Sequence, residues 1–100
     1  MKTLGVGFAG FGFIGKVHAF AHRSLPLFYH PMSATTRLVG VCTTSRESYD
    51  QAVSAADFHF GTTCFEELLE SDEIQIIHIC TPNDVHYDQV KAAIAAGKHV

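Results

Sequence analysis

The sequence is short of most features that mark a specialised chain. Only 17% of its residues are charged, Lys and Arg together number 7, and no basic block occurs, so it lacks the electrostatic footprint of a nucleic-acid binder. Its 3 cysteines, Cys42, Cys64 and Cys80, stand far apart with no C-x-x-C pair. An odd, scattered set argues against a disulfide scaffold and fits a reducing compartment, so a cytoplasmic location is expected. No apolar run approaches the roughly 20 residues that span a bilayer, and no membrane association is expected. Lys2, the uncharged stretch Leu4–Gly15 and Ala19-Phe20-Ala21 imitate a secretory signal. Gly5, Gly7, Gly10, Gly12 and Gly15 make that stretch a poor signal helix, because each glycine costs about 1 kcal/mol relative to alanine. Internal repeats, low-complexity segments and linkers are also missing. What remains is a chain of 100 residues, 47% hydrophobic with net charge −3, which suits one globular domain and excludes disorder.

The apolar pattern alternates between strand and helix. Thr3–Ala9 reads as a buried strand running into a glycine turn. Ile14 to about Leu25 reads as a helix with Val17, Phe20, Ala21 and Ser24 on one face, and Pro26 and Pro31 read as enforcing a loop. Arg37–Thr43 is a second strand. Thr44-Ser45-Arg46-Glu47 has the form of a capping box, before a helix with Tyr49, Ala52, Val53 and Ala56 inward. Phe58–Gly61 is a short strand, and Thr63-Cys64-Phe65-Glu66 a second capping box opening a helix with Phe65, Leu68 and Leu69 inward. Ile74–Cys80 reads as a strand buried on both faces. Thr81-Pro82-Asn83-Asp84 is a turn with a helix cap, His86, Val90, Ala93 and Gly97 mark the next helical face, and His99-Val100 begins a fifth strand. Such alternation implies an α/β fold, a parallel sheet with helices on both faces.

Gly10-Phe11-Gly12-Phe13-Ile14-Gly15 is G-x-G-x-x-G between a strand and a helix, the context that a dinucleotide fingerprint requires. Gly10 permits the tight turn, Gly12 lets a pyrophosphate approach the backbone, and Gly15 lets helix and strand pack closely. The first-turn amides around Phe13 and Ile14 and the positive helix end would face the phosphates. At the end of the second strand an acidic residue would hold the ribose hydroxyls. Here stand Cys42, Thr43, Thr44, Ser45 and Arg46 instead. Hydroxyls from Thr43 and Ser45 with the guanidinium of Arg46 suit a 2′-phosphate, so NADP is preferred and NAD possible. The other reading of Arg46 is a solvated first-turn residue.

With these motifs in view, the chain resembles the Gfo/Idh/MocA oxidoreductases, the glucose–fructose oxidoreductase and inositol dehydrogenase family. The resemblance rests on Val6–Ala19, Leu38–Thr43 and Phe65–Val100, above all on C-T-P-N-D-V-H followed by A-A-G-K-H-V. The stretch Arg23–Thr36 departs from it, as a longer link than usual. The resemblance implies a Rossmann domain over residues 1–100 with strand order 3-2-1-4-5, cut short in its fifth strand, and an α+β substrate domain beyond it. It implies that Thr81, Pro82 and Asn83 lie near the nicotinamide and its ribose, with His86 close by. His86 reads equally as a core or capping residue. The family's catalytic lysine follows G-K-H-V in an E-K-P motif, so no catalytic residue is expected within this chain. The implied activity of the full-length protein is NAD(P)-dependent oxidation or reduction at CH–OH carbons of a sugar, inositol or similar polyol, in a homo-oligomer. A stand-alone nucleotide-sensing regulatory module is the alternative.

His18 and His22 share a helical face but lack a third ligand, so a solvent-facing pair or an interface is expected rather than a metal site. His78, inside the strongest strand, reads as a hydrogen-bonded core histidine. Cys42 and Cys80 are expected near the cofactor cleft as small packing residues.

Overall fold

The structure, a computed structural model, describes residues 2–100. In chain order it runs β1 (Lys2–Ala9), α1 (Phe13–Phe28), β2 (Ala34–Cys42), α2 (Arg46–Ala56), β3 (Phe60–Thr62), α3 (Phe65–Glu70), β4 (Ile76–Ile79), a 3-10 turn (Asn83–Val85) and α4 (His86–Ala95). The strands form one parallel sheet in the order β3-β2-β1-β4. The expected fifth strand is a single rung beyond β4. His99 bridges Ile76, its carbonyl accepting from the amide of Ile77 at 2.8 Å and its amide donating to Gln75 at 2.9 Å.

Strand alternation splits the core in two. Val6 and Phe8 of β1 with Leu38 and Val41 of β2 pack under α1 and α2, against Ala19, Ala52 and Ala56. On the other face Val39, Ile74 and Ile77 pack against Leu68 of α3 and Ala93 of α4. Helices α1 and α2 therefore cover one face and α3 and α4 the other, so that both faces of the parallel sheet are covered. Among the described residues no helix is long and apolar enough to cross a membrane.

Several local readings of the sequence shift. Helix α1 runs through Pro26 to Phe28, and β2 begins at Ala34, so regular structure absorbs most of Arg23–Thr36 and the link is residues 29–33. Pro26 sits in the helix's last turn, where its missing amide forfeits one bond, to the His22 carbonyl, and the ladder resumes beyond it with the Tyr29 amide donating to Leu25 at 2.9 Å. The cap of α2 is Ser45, not Thr44. Ser45 accepts from the amide of Ser48, whose own hydroxyl accepts from the Ser45 amide. Cys64, not Thr63, stands at the N-cap of α3 and makes no side-chain cap bond, while Thr62 Oγ1 accepts from the Cys64 amide at 3.0 Å. β3 lies at Phe60–Thr62, because Phe58 belongs to the core beneath α2. β4 is confined to Ile76–Ile79 and is only partly buried, as its outer side carries no more than the His99 rung. Gly97, at φ 79°, is the αL residue that ends α4: its amide donates to Ile94 and that of Lys98 to Ala93.

The largest departure is the rotation of α1. Its buried residues are Gly15 and Ala19, whereas Phe13, Val17, Phe20 and Leu27 are exposed, Phe20 by 71%. Gly15 decides this. A Cβ there would lie 2.8 Å from the Gly10 carbonyl oxygen, so this position must face the sheet at backbone contact. Positions i+3, i+4 and i+7 from Gly15 then turn inward as well, and these are His18, Ala19 and His22. The two histidines meet His78 of β4 instead of solvent. His18 Nδ1 lies 2.9 Å from His78 Nδ1, His22 Nε2 lies 2.7 Å from His78 Nε2, and His22 Nδ1 lies 2.9 Å from Thr36 Oγ1. The His78 ring stacks on Phe8 at 4.6 Å. Their nitrogens point at one another, and among the described residues no group of His, Cys, Asp or Glu is placed to hold a metal ion.

Gly15→Val should therefore lose about 2–3 kcal/mol of stability by overpacking against the Gly10 carbonyl. Urea denaturation followed by circular dichroism measures it, and an unchanged midpoint would contradict the contact that sets α1.

Candidate functional site

The sheet's topology places a crevice where the connections leaving the paired strands β1 and β4 run to opposite faces, at the carboxyl ends of the strands. Those ends are levelled by backbone bonds. Gly10 donates to Cys42 at 2.8 Å, Cys80 to Ala9 at 2.8 Å, and Thr43 to Thr62 at 3.0 Å. Above them lies a cleft of about 1150 Å³. Gly10, Gly12, Phe13 and Ile14 line it from the glycine turn, Thr43 from the end of β2, and Thr81 and Pro82 from the end of β4.

The turn is built by backbone constraint. Gly10 has φ 90°, and a Cβ on it would stand 2.6 Å from the Cys80 carbonyl oxygen. Gly12 is the opposite case, since a Cβ there would meet nothing within 4 Å. It opens onto the cleft and caps α1 with no side chain. The first intrahelical bond runs from the Lys16 amide to the Gly12 carbonyl at 3.0 Å, which leaves the amides of Phe13, Ile14 and Gly15 without helical partners. The first turn of α1 contains no acidic residue, so nothing in it offsets the positive helix end. Open backbone, free amides and an uncompensated dipole fit a pyrophosphate. Lys16 also lines the cleft, its ammonium 3.1 Å from the Phe11 carbonyl. Sequence reasoning passed over it, although its place directly after the fingerprint was a legible signal.

The other expected residues divide. Gly15 is buried beneath the turn rather than on the cleft. Ser45 and Arg46 do not line the cleft. Arg46 is the first residue of α2, its side chain is 84% exposed, and it pairs with Asp50 at 3.6 Å. The hydroxyls of this loop are engaged with one another. Ser48 Oγ donates to Thr43 Oγ1 at 2.6 Å, and Thr43 Oγ1 to the Ser45 carbonyl at 2.9 Å.

Beyond β4, Asn83 starts the 3-10 turn without a side-chain cap and, with His86, stands outside the cleft lining. His86 Nε2 donates to the carbonyl of Thr81. Thr81 Oγ1 donates to Gln89 Oε1 at 2.5 Å. Both bonds tie the turn to α4, so His86 holds Thr81 in place from behind. Asp84 and Gln89, not singled out from sequence, line the cleft beside it.

Cys42 and Cys80 line the cleft floor. Burial, with smaller contributions from Cys64, Glu66 and Glu67, pushes the Cys42 thiol up to about 11. Burial also raises Cys80. Both therefore carry less thiolate near neutral pH than an ordinary cysteine.

Residues 4–100 match the family described as oxidoreductases with an NAD-binding Rossmann fold, Gfo/Idh/MocA. Levoglucosan dehydrogenase of Pseudarthrobacter phenanthrenivorans is 31% identical over 100 residues, all of this chain and 26% of that protein. Its fold is shared as well: levoglucosan dehydrogenase in complex with NADH and levoglucosan superposes with a TM-score of 0.94 at 31% identity, over 98% of this chain and 26% of that one. An oxidoreductase domain protein from Kribbella flavida gives a TM-score of 0.92 at 35% identity, over 100% and 26%. The chain thus spans about a quarter of the length of the relatives it matches.

Alkylation reads the cleft's electrostatics directly. Exposed Cys64 should react first with iodoacetamide. Raising Cys42 from 9.0 to about 11 should cut its thiolate fraction at about pH 8 about a hundredfold and slow its reaction about tenfold against an ordinary thiol, since the more basic thiolate is the better nucleophile. Peptide mass spectrometry resolves the two sites.

Proposed function

The chain belongs to the Gfo/Idh/MocA oxidoreductases, and from that premise we propose that its cleft holds a nicotinamide dinucleotide for hydride transfer at a CH–OH carbon of a sugar, inositol or similar polyol. The observation that carries this reading is Gly12, a position with open space where a side chain would be, at a helix end with free amides and no acidic neighbour. The pyrophosphate rests there. The adenosine half extends towards Thr43 and the nicotinamide half towards Thr81 and Pro82, across the strand ends from one another. Asn83 and His86 act through the turn that they shape. When bound, the cofactor supplies the hydride acceptor or donor, and these residues orient it. The hydride-transfer activity and the sugar-like substrate belong to a longer protein of which this chain is the cofactor-binding part, a reading supported by the quarter-length match to levoglucosan dehydrogenase.

Discrimination between NADP and NAD falls to the loop after β2. The absence of a carboxylate among Cys42–Arg46 removes the group that would repel a 2′-phosphate, and Arg46, 84% exposed and paired with Asp50 at 3.6 Å, is the cation that this loop offers to one. NADP is proposed on that ground. The solved levoglucosan dehydrogenase carries NADH and weighs the other way.

Calorimetric titration with NADPH and NADH decides it. Tighter NADPH binding that Arg46→Ala weakens selectively supports the assignment, whereas equal or tighter NADH binding overturns the 2′-phosphate and leaves the cleft. Gly12→Ser tests the cleft itself. Serine is a good N-cap and meets no neighbour here, so stability should hold within about 0.5 kcal/mol. Affinity for either dinucleotide should fall at least about tenfold, because the side chain occupies the pyrophosphate's approach. Unchanged affinity for both would refute the site.

A further inference from the structure

The three rings His18, His78 and His22 form a ladder between α1 and β4 that the cofactor reading does not use. It is continuous. Cys80 Sγ lies 3.7 Å from His18 Nδ1, and the ladder passes through His78 to His22 and ends on Thr36 of β2. Each N···N contact needs one proton. With His78 protonated on Nε2, it donates to His22, His22 donates to Thr36, and His78 accepts from His18. The reverse set, in which the Thr36 hydroxyl donates and every proton points the other way, is equally complete. Both sets have all three rings neutral. One ring can take a further proton with every contact still filled, since Nε2 of His18 lies outside the ladder and Thr36 can accept from His22, but a second imidazolium sets two N–H groups face to face.

The ladder also carries much of the seat of α1. Its fully buried residues are only Gly15 and Ala19, and the half-buried ones are His18, His22, Ser24 and Leu25, so a single leucine is all the larger aliphatic burial that backs it up. Few charges surround it. β1 presents the Phe8 ring, β2 the Thr36 hydroxyl and β4 the Cys80 thiol. From α1 itself, Lys16 is bonded to the Phe11 carbonyl and Arg23 to the Ala56 carbonyl at the end of α2. The ion pairs of the described residues, Arg37–Glu73 and Arg46–Asp50, involve none of these rings, so no carboxylate compensates an imidazolium here.

We propose that this imidazole ladder is an acid-sensitive latch, which seats α1 and its glycine turn when all three rings are neutral and releases them in mildly acidic solution. The proposal rests on the dinucleotide reading of that turn. Burial first, and the neighbouring rings second, hold His78 down at about 4 and His22 below the ordinary histidine range. The seated form therefore takes up fewer protons than the released form between about pH 6.5 and 4, and its advantage, complete above that window, is lost as pH falls through it. For His78 alone, a drop from 6.5 to about 4 shifts the equilibrium towards release about thirtyfold on going from about pH 7.5 to about pH 5.

The test compares this chain with His78→Phe, which keeps the stack on Phe8 but cannot titrate, and with His22→Gln, whose amide can still bond His78. Urea denaturation, amide hydrogen exchange along α1 and calorimetric NADH and NADPH binding are measured at pH 7.5 and pH 5. The latch predicts that the unfolding equilibrium constant of the unsubstituted chain rises at least about tenfold more on acidification than that of His78→Phe. It also predicts that α1 amides lose protection and that dinucleotide affinity falls with them. His22→Gln should show an intermediate pH dependence, and it carries the comparison if His78→Phe does not fold. Parallel pH profiles in all three chains would overturn the latch. A stability difference with affinity unchanged by pH would overturn its link to the turn. Absence of dinucleotide binding at pH 7.5 would instead overturn the cofactor reading, leaving the latch to be judged by exchange and denaturation.

Discussion

The approach of Gly15 to the carbonyl oxygen of Gly10 fixes how α1 lies on the sheet, and much else follows from it. Glycine is required there because a Cβ would stand 2.8 Å from that oxygen. Once this position faces inward, the 3.6-residue period decides the rest of the helix without regard to hydrophobicity. Two histidines go in and large apolar side chains, Phe13, Phe20 and Leu27 among them, stay out. The same contact brings the free amides of the first turn over the end of β1. Backbone packing thus settles the position of the binding turn and the make-up of the core beneath the helix together.

The fold and half of the site were legible in the chain because they depend on short-range patterns. G-x-G-x-x-G between a strand and a helix, and the apolar run before Thr81, each encode their geometry within a few residues. The face of α1 was not legible, because hydrophobic periodicity assumes that apolar side chains choose the buried side, and here a steric contact chose it. The cap of α2 slipped by one residue because Thr44, Ser45 and Ser48 can all cap, and tertiary position picked Ser45. Pro26 suggested a break that the helix absorbs in its final turn. The convergence of His18 and His22 on His78 joins residues some 60 positions apart in the chain, which no local pattern reports.

Cleft and ladder divide the polar groups of this small domain between them. On the cleft side, backbone amides and Lys16 offer positive potential to a ligand, while the thiols of Cys42 and Cys80 are held neutral by burial. Behind it, under α1, polarity is satisfied internally by rings and a hydroxyl that share protons. Cys80 belongs to both, lining the cleft and touching His18. No buried side-chain polar atom of the described residues lacks a partner, so the histidines under α1 are accommodated as a network rather than tolerated as defects.

The outward ridge of α1 has a consequence for handling. Phe20, Leu27 and Phe28 are each more than two-thirds exposed, on a molecule of net charge only −3. Adsorption to hydrophobic resins, binding of environment-sensitive dyes and foaming at an air–water surface are all governed by such a ridge. The folded chain should accordingly bind such dyes as a partly unfolded one does, and a high starting fluorescence on heating would report this native ridge rather than damage.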